Sequence, residues 1–357
     1  MACIELNLAH SYKAHPSQDD DYALLPLKMR FEDGGAYALL GPSGCGKTTM
    51  LNIISGLVKP SIGSVCFDGR DVTHDTTQAR NIAQVFQFPV IYDTMTVAQN
   101  LGFPLRNRGA SADHIRARVG QIAEMLDLSA FLDQRASGLS ADQKQKISLG
   151  RGLVRSDVTA VLFDEPLTVI DPHLKWQLRR KLKQIHRELK LTLIYVTHDQ
   201  VEALTFANEV LVMSRGRVMQ VGSAKDLFER PAHTFVGHFI GSPGMNFVEA
   251  HHAQGQLTIA GIPVNPPSNF TTQGDMKLGI RPEHLQIGPV HATGTVPAQV
   301  KRVQMLGSYA LVTCTLQAHE VRLRLATDQQ MPRVGTQIHL QILSPQTCVY
   351  QNEAWVA

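Results

Sequence analysis

The sequence contains few aromatic residues and no strong excess of charge of either sign. Phenylalanine, tyrosine and tryptophan together make up 6% of its 357 residues. The 34 Lys and Arg residues are matched by 31 Asp and Glu residues, which leaves a net charge of +3. Such an even balance argues against nucleic acid as a main partner, because nucleic-acid-binding domains carry a clear basic excess.

Long apolar runs are also missing. No run approaches the ~18–20 residues that a membrane-spanning helix needs. The first five residues, Met1 to Glu5, lack the basic and apolar regions of a signal peptide. We therefore expect the chain to remain in the cytosol.

Cysteine is scarce and unsuited to cross-linking. The five cysteines are odd in number and widely spaced, and none forms a C-x-x-C pair. This pattern argues against a disulfide framework or a zinc site and favours reduced thiols. They are Cys3, Cys45, Cys66, Cys314 and Cys348.

Strand-like and helix-like segments alternate up to about residue 235. Ala36–Leu40, Ala160–Phe163 and Leu191–Val196 are short apolar strands, and 173–189 has the apolar spacing of a helix. Alternation of this kind predicts an α/β domain with a largely parallel sheet, which binds ligands at the carboxyl ends of its strands.

The residue pattern changes after about residue 240, where helical periodicity fades and short β-branched runs appear. Examples are 256–259, 310–315 and 338–343. They predict a second, small all-β domain, of barrel type. We expect domains at 1–235 and 236–357, the length being sufficient for two.

A phosphate-binding loop follows the first of these strands. Residues 41–48 read G-P-S-G-C-G-K-T, with an apolar strand before and a helix after. Backbone N–H groups and the helix N-terminus would cradle phosphates, Lys47 would reach the β- and γ-phosphates, and the Thr48 hydroxyl would ligate Mg²⁺. The predicted ATP contacts in this region are Gly41, Ser43, Gly44, Cys45, Gly46, Lys47, Thr48 and Thr49.

Two carboxylates end a second apolar strand. The segment Val161–Pro166 reads V-L-F-D-E-P, so Asp164 and Glu165 would lie at the ligand edge of the sheet. Asp164 would hold Mg²⁺ directly or through water. Glu165 would act as the general base on the attacking water.

Three further segments fit the same pattern. Tyr12 precedes the loop, Val85–Gln87 reads V-F-Q, and Val196–Ala203 reads V-T-H-D-Q-V-E-A. Together with the loop and the carboxylates, they resemble the ABC ATPases over nearly the whole chain.

The resemblance implies roles for these residues. Tyr12 would stack on adenine, His198 would contact the γ-phosphate, and Gln87 would touch Mg²⁺ or water and sense membrane subunits. Residues of about 88–105 would face a permease helix within a helical subdomain of about 88–155. Tyr12 as a packing residue and Gln87 as a solvated loop residue remain alternatives.

The signature segment of this family is altered. The family reads L-S-G-G-Q, whereas this chain reads Leu139-Ser140-Ala141-Asp142-Gln143. Ser140 would contact ATP held by another subunit. Asp142 would place a carboxylate near that phosphate, where like charges at ~4–6 Å repel by about a kcal/mol or more. Asp142 is also a favourable first-turn helix residue.

The loop after Glu165 is altered as well, since Thr168–Asp171 reads T-V-I-D where the family commonly has S-A-L-D. Together the two departures suggest a heterodimer with a different ATPase subunit that carries a complete signature.

The C-terminal part of the chain indicates which branch of the ABC ATPases it resembles. The junction of carbohydrate-importer ATPases resembles Arg230–Phe247 of this chain. Their OB-like regulatory domain carries a segment similar to Leu278–Leu285, which reads L-G-I-R-P-E-H-L. Residues 141–155 resemble one ATPase subunit of bacterial glycerol importers. An OB-like domain that binds nucleic acid is disfavoured, because 245–357 has seven basic and six acidic residues.

The resemblance thus implies an ATPase at the cytoplasmic face of the inner membrane, with ATP and Mg²⁺ as cofactors. Its partners would be two permease subunits and a periplasmic or extracellular solute-binding protein. The expected solute is a small polyol, glycerol. The alternatives are import of a sugar or sugar phosphate, a soluble ABC ATPase outside transport, and a regulatory half without turnover.

Overall fold

The computed structural model describes residues 2–267, 270–290 and 292–356, and it divides into two compact units, up to Ala224 and from Lys225 onward. Met1 and Ala357, the ends of the two predicted domains, lie outside the described residues. Within these ranges no helix is long and apolar enough to span a membrane. The predicted order, an α/β domain followed by an all-β domain, is confirmed.

The first unit contains ten strands and seven α-helices among its described residues. The strands are β1 (Ile4–His10), β2 (Leu24–Phe31), β3 (Ala36–Leu40), β4 (Ile62–Phe67), β5 (Arg70–Asp71), β6 (Ala83–Val85), β7 (Val161–Asp164), β8 (Leu193–Thr197), β9 (Glu209–Ser214) and β10 (Arg217–Gly222). The helices are α1 (Lys47–Ser55), α2 (Thr77–Arg80), α3 (Val97–Arg106), α4 (Ala112–Met125), α5 (Ala141–Leu153), α6 (Pro172–Leu189) and α7 (Gln200–Phe206).

The main sheet has six strands in the order β10-β9-β3-β8-β7-β6. All neighbours pair in parallel except β10 with β9, which are antiparallel. The central strands β3, β7 and β8 are almost wholly buried, which is typical of a parallel sheet covered on both faces. A separate antiparallel sheet has the order β2-β1-β4-β5.

Helices α3, α4 and α5 pack together where the helical subdomain of about 88–155 was predicted. Their apolar faces, with Leu101, Ile122 and Ile147 each 0% exposed, join α6 and one face of the main sheet in a single core. The glycine of α5 at position 150 permits this, because a Cβ there would lie 2.4 Å from Leu101 Cδ2.

A buried arginine closes the helix that follows the phosphate loop. Arg80 is 1% exposed, and its Nη1 donates to the carbonyls of Ile53 at 2.6 Å and Ile54 at 3.0 Å, while Nη2 donates to Thr73 at 2.8 Å. The last carbonyls of a helix lack partners within the helix, and a cation there also complements the helix dipole. Arg80 therefore fixes the end of α1 whose start carries Lys47 and Thr48.

The second unit consists of two antiparallel sheets and two short helices in its described residues. The helices are α8 (Ala224–Glu229), which begins at the boundary, and α9 (Thr234–Phe239). The six-stranded sheet, in the order β13-β12-β11-β14-β20-β21, comprises β11 (Asn246–Ala253), β12 (Gln256–Ile259), β13 (Ile262–Val264), β14 (Gly274–Ile280), β20 (Cys348–Gln351) and β21 (Ala354–Trp355). The five-stranded sheet, in the order β15-β19-β16-β17-β18, comprises β15 (Gln286–Ile287), β16 (Thr295–Met305), β17 (Tyr309–Leu316), β18 (His319–Ala326) and β19 (Gln337–Gln341).

Arg281 of the L-G-I-R-P-E-H segment explains why the compact unit starts before the predicted boundary at 235/236. The Arg281 side chain is 1% exposed and donates to the carbonyls of Phe228 and Gly237, both at 2.9 Å, and to that of Ile240. Burial lowers its pKa to about 10, so the guanidinium stays charged at neutral pH. These bonds join α8 and α9 to β14, and both helices thus pack with the second unit.

Replacing Arg80 with Met should destabilise the first unit by about 2–4 kcal/mol, because three buried carbonyls lose their donors. Urea unfolding, followed by Trp176 fluorescence in a Trp355→Phe background, would report this unit, since the chain has two tryptophans. Arg70→Met is the control, because that side chain is 68% exposed. Equal unfolding midpoints for the two variants would contradict the capping role.

Candidate functional site

The candidate site lies at one edge of the main sheet. Leu40 of β3 pairs with Thr197 of β8, Asp164 of β7 pairs with Val196 of β8, and Val85 of β6 pairs with Phe163. Because these strands are parallel and in register, the segments that follow them emerge at the same edge. The phosphate loop, the carboxylate pair, Gln87 and His198 are those segments.

Glycines give the phosphate loop its backbone shape. Gly44 has φ +78° and Gly46 has φ +102°, a left-handed region that favours glycine. A Cβ at Gly46 would lie 2.4 Å from the Ala23 carbonyl oxygen, and one at Gly41 would lie 2.3 Å from that of Met213. Ser43 and Gly44 are exposed at the tip of the loop, where a ligand can reach them.

Lys47 lies under this loop rather than outside it. The residue is 6% exposed, and its ammonium donates to the carbonyls of Gly41 at 2.8 Å and Pro42 at 2.9 Å. Cys45 is 3% exposed, and burial raises the pKa of its thiol. The Cys45 side chain is therefore a packing group, and a ligand contact at this position would have to come from the backbone.

Thr48 and Asp164 meet at the start of α1. The Thr48 hydroxyl donates to Asp164 Oδ1 at 3.2 Å. Burial raises the pKa of Asp164, and the neighbouring Glu165 charge adds to this. The described residues contain no group of three or more His, Cys, Asp or Glu that could hold a metal by themselves. A hydroxyl beside a carboxylate still suits Mg²⁺, which usually takes few protein oxygens and completes its shell with phosphate and water.

Glu165 and His198 form a hydrogen-bonded pair at this edge. His198 Nδ1 lies 3.0 Å from Glu165 Oε2, and the Thr168 hydroxyl donates to the same oxygen at 3.1 Å. Glu165 has φ +47°, an uncommon conformation for a non-glycine residue and one that clusters at functional sites. Its carboxylate is thus oriented by donors from two loops, and Oε1 is left to face other groups.

Thr168 was not among the predicted site residues. In the sequence it stands out only as a departure from the family pattern in the loop after Glu165. Its place three residues after the proposed base was the available signal, since its backbone N–H also donates to the Glu165 carbonyl at 3.2 Å. That tight turn brings the Thr168 hydroxyl back to the carboxylate.

Tyr12 lies beside the N-terminal turn of α1. Its ring is 67% exposed, its hydroxyl lies 3.3 Å from Thr49 Oγ1, and its ring meets that of His10 edge-on at 4.6 Å. An exposed aromatic ring that is held at both ends offers a face on which a planar base can stack.

Gln87 is half-buried just beyond β6, at the same edge. Around it, Phe86, Phe88, Val90 and Tyr92 are 40%, 67%, 52% and 41% exposed. A contiguous apolar stretch of this kind on a protein surface is typical of an interaction site.

Ser140 caps α5, and its hydrogen bonds stay within that helix among the described residues. Its hydroxyl contacts the Asp142 carboxylate and lies 3.1 Å from Gln143 Oε1, and the Gln143 side chain accepts from the Ser140 N–H at 3.0 Å. This is a capping box, in which Asp142 also complements the helix dipole. The altered signature is thus locally favourable for the helix, and its carboxylate engages the serine hydroxyl.

The two units match different families. Residues 24–168 match the ABC transporter family, 241–285 match the MalK OB fold domain, and 278–349 match the TOBE domain. The CbiO1 structure from Clostridium perfringens, described as part of the ABC transporter complex cbiONQ, covers 64% of this chain and 90% of its own. Its TM-score is 0.58 at 27% identity.

Curated relatives span most of the chain. The uncharacterized ABC transporter ATP-binding protein y4oS of Sinorhizobium fredii is 42% identical over 321 residues, 88% of this chain and 85% of that protein. The sn-glycerol-3-phosphate import ATP-binding protein UgpC of Salmonella typhimurium is 36% identical over 338 residues, 92% and 93% of the two chains. The Fe(3+) ions import ATP-binding protein FbpC of Escherichia coli is 35% identical over 316 residues, 88% and 90%.

These similarities imply membrane permease partners and association with a membrane. They give no support to the expected heterodimer with a different ATPase subunit. The sequence, the fold and the relatives agree that this chain belongs to the ATP-binding subunits of ABC transporters, of the carbohydrate-importer type, and that it is an ATP-hydrolysing importer subunit.

Proposed function

We propose that this chain binds Mg²⁺ and ATP at the edge described above, and that hydrolysis there drives import of a small polyol, glycerol being the first candidate. The observation that carries the proposal is the joining of the phosphate loop to the base. Thr48 bonds to Asp164, and the next residue, Glu165, bonds to His198 and Thr168. In this proposal the compact unit up to Ala224 acts as an ATPase domain, and the unit from Lys225 onward acts as a regulatory domain.

ATP would lie along the phosphate loop, with its base on the Tyr12 ring. The backbone N–H groups of 41–48 and the start of α1 would hold the phosphates, and Lys47 would exchange its bonds to the Gly41 and Pro42 carbonyls for phosphate oxygens. Ser43, Gly44, Gly46 and Thr49 would border the same space, since they belong to the loop or to the first turn of α1.

Thr48, Asp164 and Gln87 would hold Mg²⁺ together with phosphate oxygens. The ion supplies charge neutralisation when it is bound. Glu165 would take a proton from the attacking water through its free oxygen, while Thr168 and His198 hold the other. His198 would also contact the γ-phosphate as charge develops there.

The exposed apolar stretch at Phe86–Tyr92 is the proposed contact for a permease subunit, on the cytoplasmic face of the inner membrane. A solute-binding protein outside the membrane would deliver the solute. The ATPase does not touch the solute, so its own residues do not select it. The relatives' names therefore keep a sugar phosphate such as sn-glycerol-3-phosphate as the second candidate. A soluble ATPase outside transport is disfavoured, because those names describe import.

Replacing Glu165 with Gln should lower the rate of phosphate release by the purified chain about a hundredfold or more, because the amide cannot take the proton from water. ATP binding, measured by calorimetry with Mg²⁺ present, should persist, since the phosphate loop is unchanged. Glu188→Gln, an exposed glutamate of α6, is the control. Unchanged turnover in Glu165→Gln would reject the general-base role.

Replacing Asp142 with Gly should raise the steady ATPase rate of the chain alone about fivefold or more. The substitution removes a carboxylate whose repulsion of the ATP phosphate is about a kcal/mol, and it removes the contact between that carboxylate and the Ser140 hydroxyl. Asp142→Asn removes the charge but keeps a side chain. Comparing it with Asp142→Gly therefore separates the effect of the charge from the effect of backbone freedom. Turnover by the unaltered chain that matches Asp142→Gly would show that the altered signature is competent and that the Asp142 carboxylate does not impair it.

Uptake of labelled glycerol at micromolar concentration should fall in cells that lack the gene, since passive entry is slow at low concentration. The intact gene should restore it, and Glu165→Gln should not. If glycerol uptake is normal but uptake of a sugar or of glycerol phosphate is lost, the importer function stands and glycerol is rejected as the solute.

A further inference from the structure

A buried carboxylate lies beneath the turn that carries His198, and the proposed chemistry does not use it. Glu202 belongs to the first turn of α7 and is 4% exposed. Its Oε2 accepts hydrogen bonds from the Tyr195 hydroxyl at 2.9 Å and the Thr197 hydroxyl at 2.8 Å. A carboxylate removed from water needs such donors, because unpaired burial is costly.

The two donors come from one face of β8. Tyr195 and Thr197 are two residues apart on the strand, so their side chains point to the same side, and they are 1% and 2% exposed. Burial, reinforced by the Glu202 charge, raises the pKa of Tyr195 well above its ordinary value, so its hydroxyl stays a donor. On the other side, Lys175 Nζ of α6 lies 3.9 Å from Glu202 Oε1. Glu202 thus ties the end of β8 to the start of α7.

The backbone on both sides of His198 belongs to this network. The Thr197 hydroxyl, which donates to Glu202, also accepts from the Asp199 N–H at 3.0 Å. Asp199 caps α7, and its Oδ1 accepts from the N–H groups of Val201 at 2.8 Å and Glu202 at 3.1 Å. The residues before and after His198 are therefore fixed by buried or capped hydrogen bonds.

The His198 side chain has little packing of its own to direct it. It is 55% exposed, and its described hydrogen bond is the one to Glu165 Oε2. The direction of the imidazole must then come mainly from the backbone that carries it. We propose that Glu202, acting through Thr197, is a positioning residue that aims His198 at Glu165 and the γ-phosphate. This inference rests on the proposed role of His198 in hydrolysis.

The first test measures kcat and KM for ATP with the purified full chain. Thr197→Val, which is nearly isosteric, and Glu202→Ala should each lower kcat about tenfold, because misdirected catalytic groups cost rate. KM should stay within about twofold, since the phosphate loop and Tyr12 are untouched. Glu202→Gln should recover most of the loss, because its amide oxygen accepts both hydroxyl donors. Glu209→Ala, an exposed glutamate at the start of β9, is the matched control.

The second test repeats Thr197→Val and Glu202→Ala in a His198→Ala background. If both residues act through His198, they should cause no further loss there. An equal fold-loss in both backgrounds would show a general loss of stability and overturn the positioning role. If His198→Ala alone leaves kcat unchanged, the role of His198 fails, and the positioning role fails with it. A loss in His198→Ala together with full activity in Thr197→Val would overturn the positioning role alone and leave the proposed function intact.

Discussion

The parallel pairing of β3, β8, β7 and β6 is the constraint on which the site depends. Each of these strands carries its candidate site residues at or just beyond its carboxyl end, as Asp164 does at the end of β7. Because the pairs Leu40–Thr197 and Asp164–Val196 fix the register, Thr48 lies within hydrogen-bond distance of Asp164, and His198 lies within hydrogen-bond distance of Glu165. A slip of one residue would turn every side chain of a strand to the other face and separate them.

Buried charges secure the elements that leave this edge. Arg80 closes the far end of α1, and Glu202 closes the turn between β8 and α7. Arg281 does the same for α8 and α9 in the second unit. In each case a long polar side chain satisfies several groups that would otherwise be buried without partners, a cost of about 1–3 kcal/mol each. These three buried ionic groups thus lie where short loops must hold a fixed shape.

The site residues differ in how much of their role one chain can supply. Thr48, Asp164, Glu165 and His198 are already brought together within the first unit. The Ser140 hydroxyl instead forms its described hydrogen bonds within its own helix. The apolar side chains of Phe88 and Val90 are exposed. In the proposed function other subunits would complete the roles of these latter residues, and the similarity to import ATP-binding proteins implies membrane permease partners.

Local pattern was sufficient for the order of the elements, since the predicted helix at 173–189 and strand at 256–259 correspond to α6 and β12. The phosphate loop and the two carboxylates could also be predicted, because both follow apolar strands in a fixed spacing. By itself, then, the sequence determined the fold class, the nucleotide chemistry and the family. Tertiary structure decided which groups surround Cys45, Thr168, Glu202 and Arg281, since burial and hydrogen-bond partners far apart in the chain leave no periodic signal. The donors to the Glu165 carboxylate and the network beneath His198 exist only once strands from distant segments lie side by side.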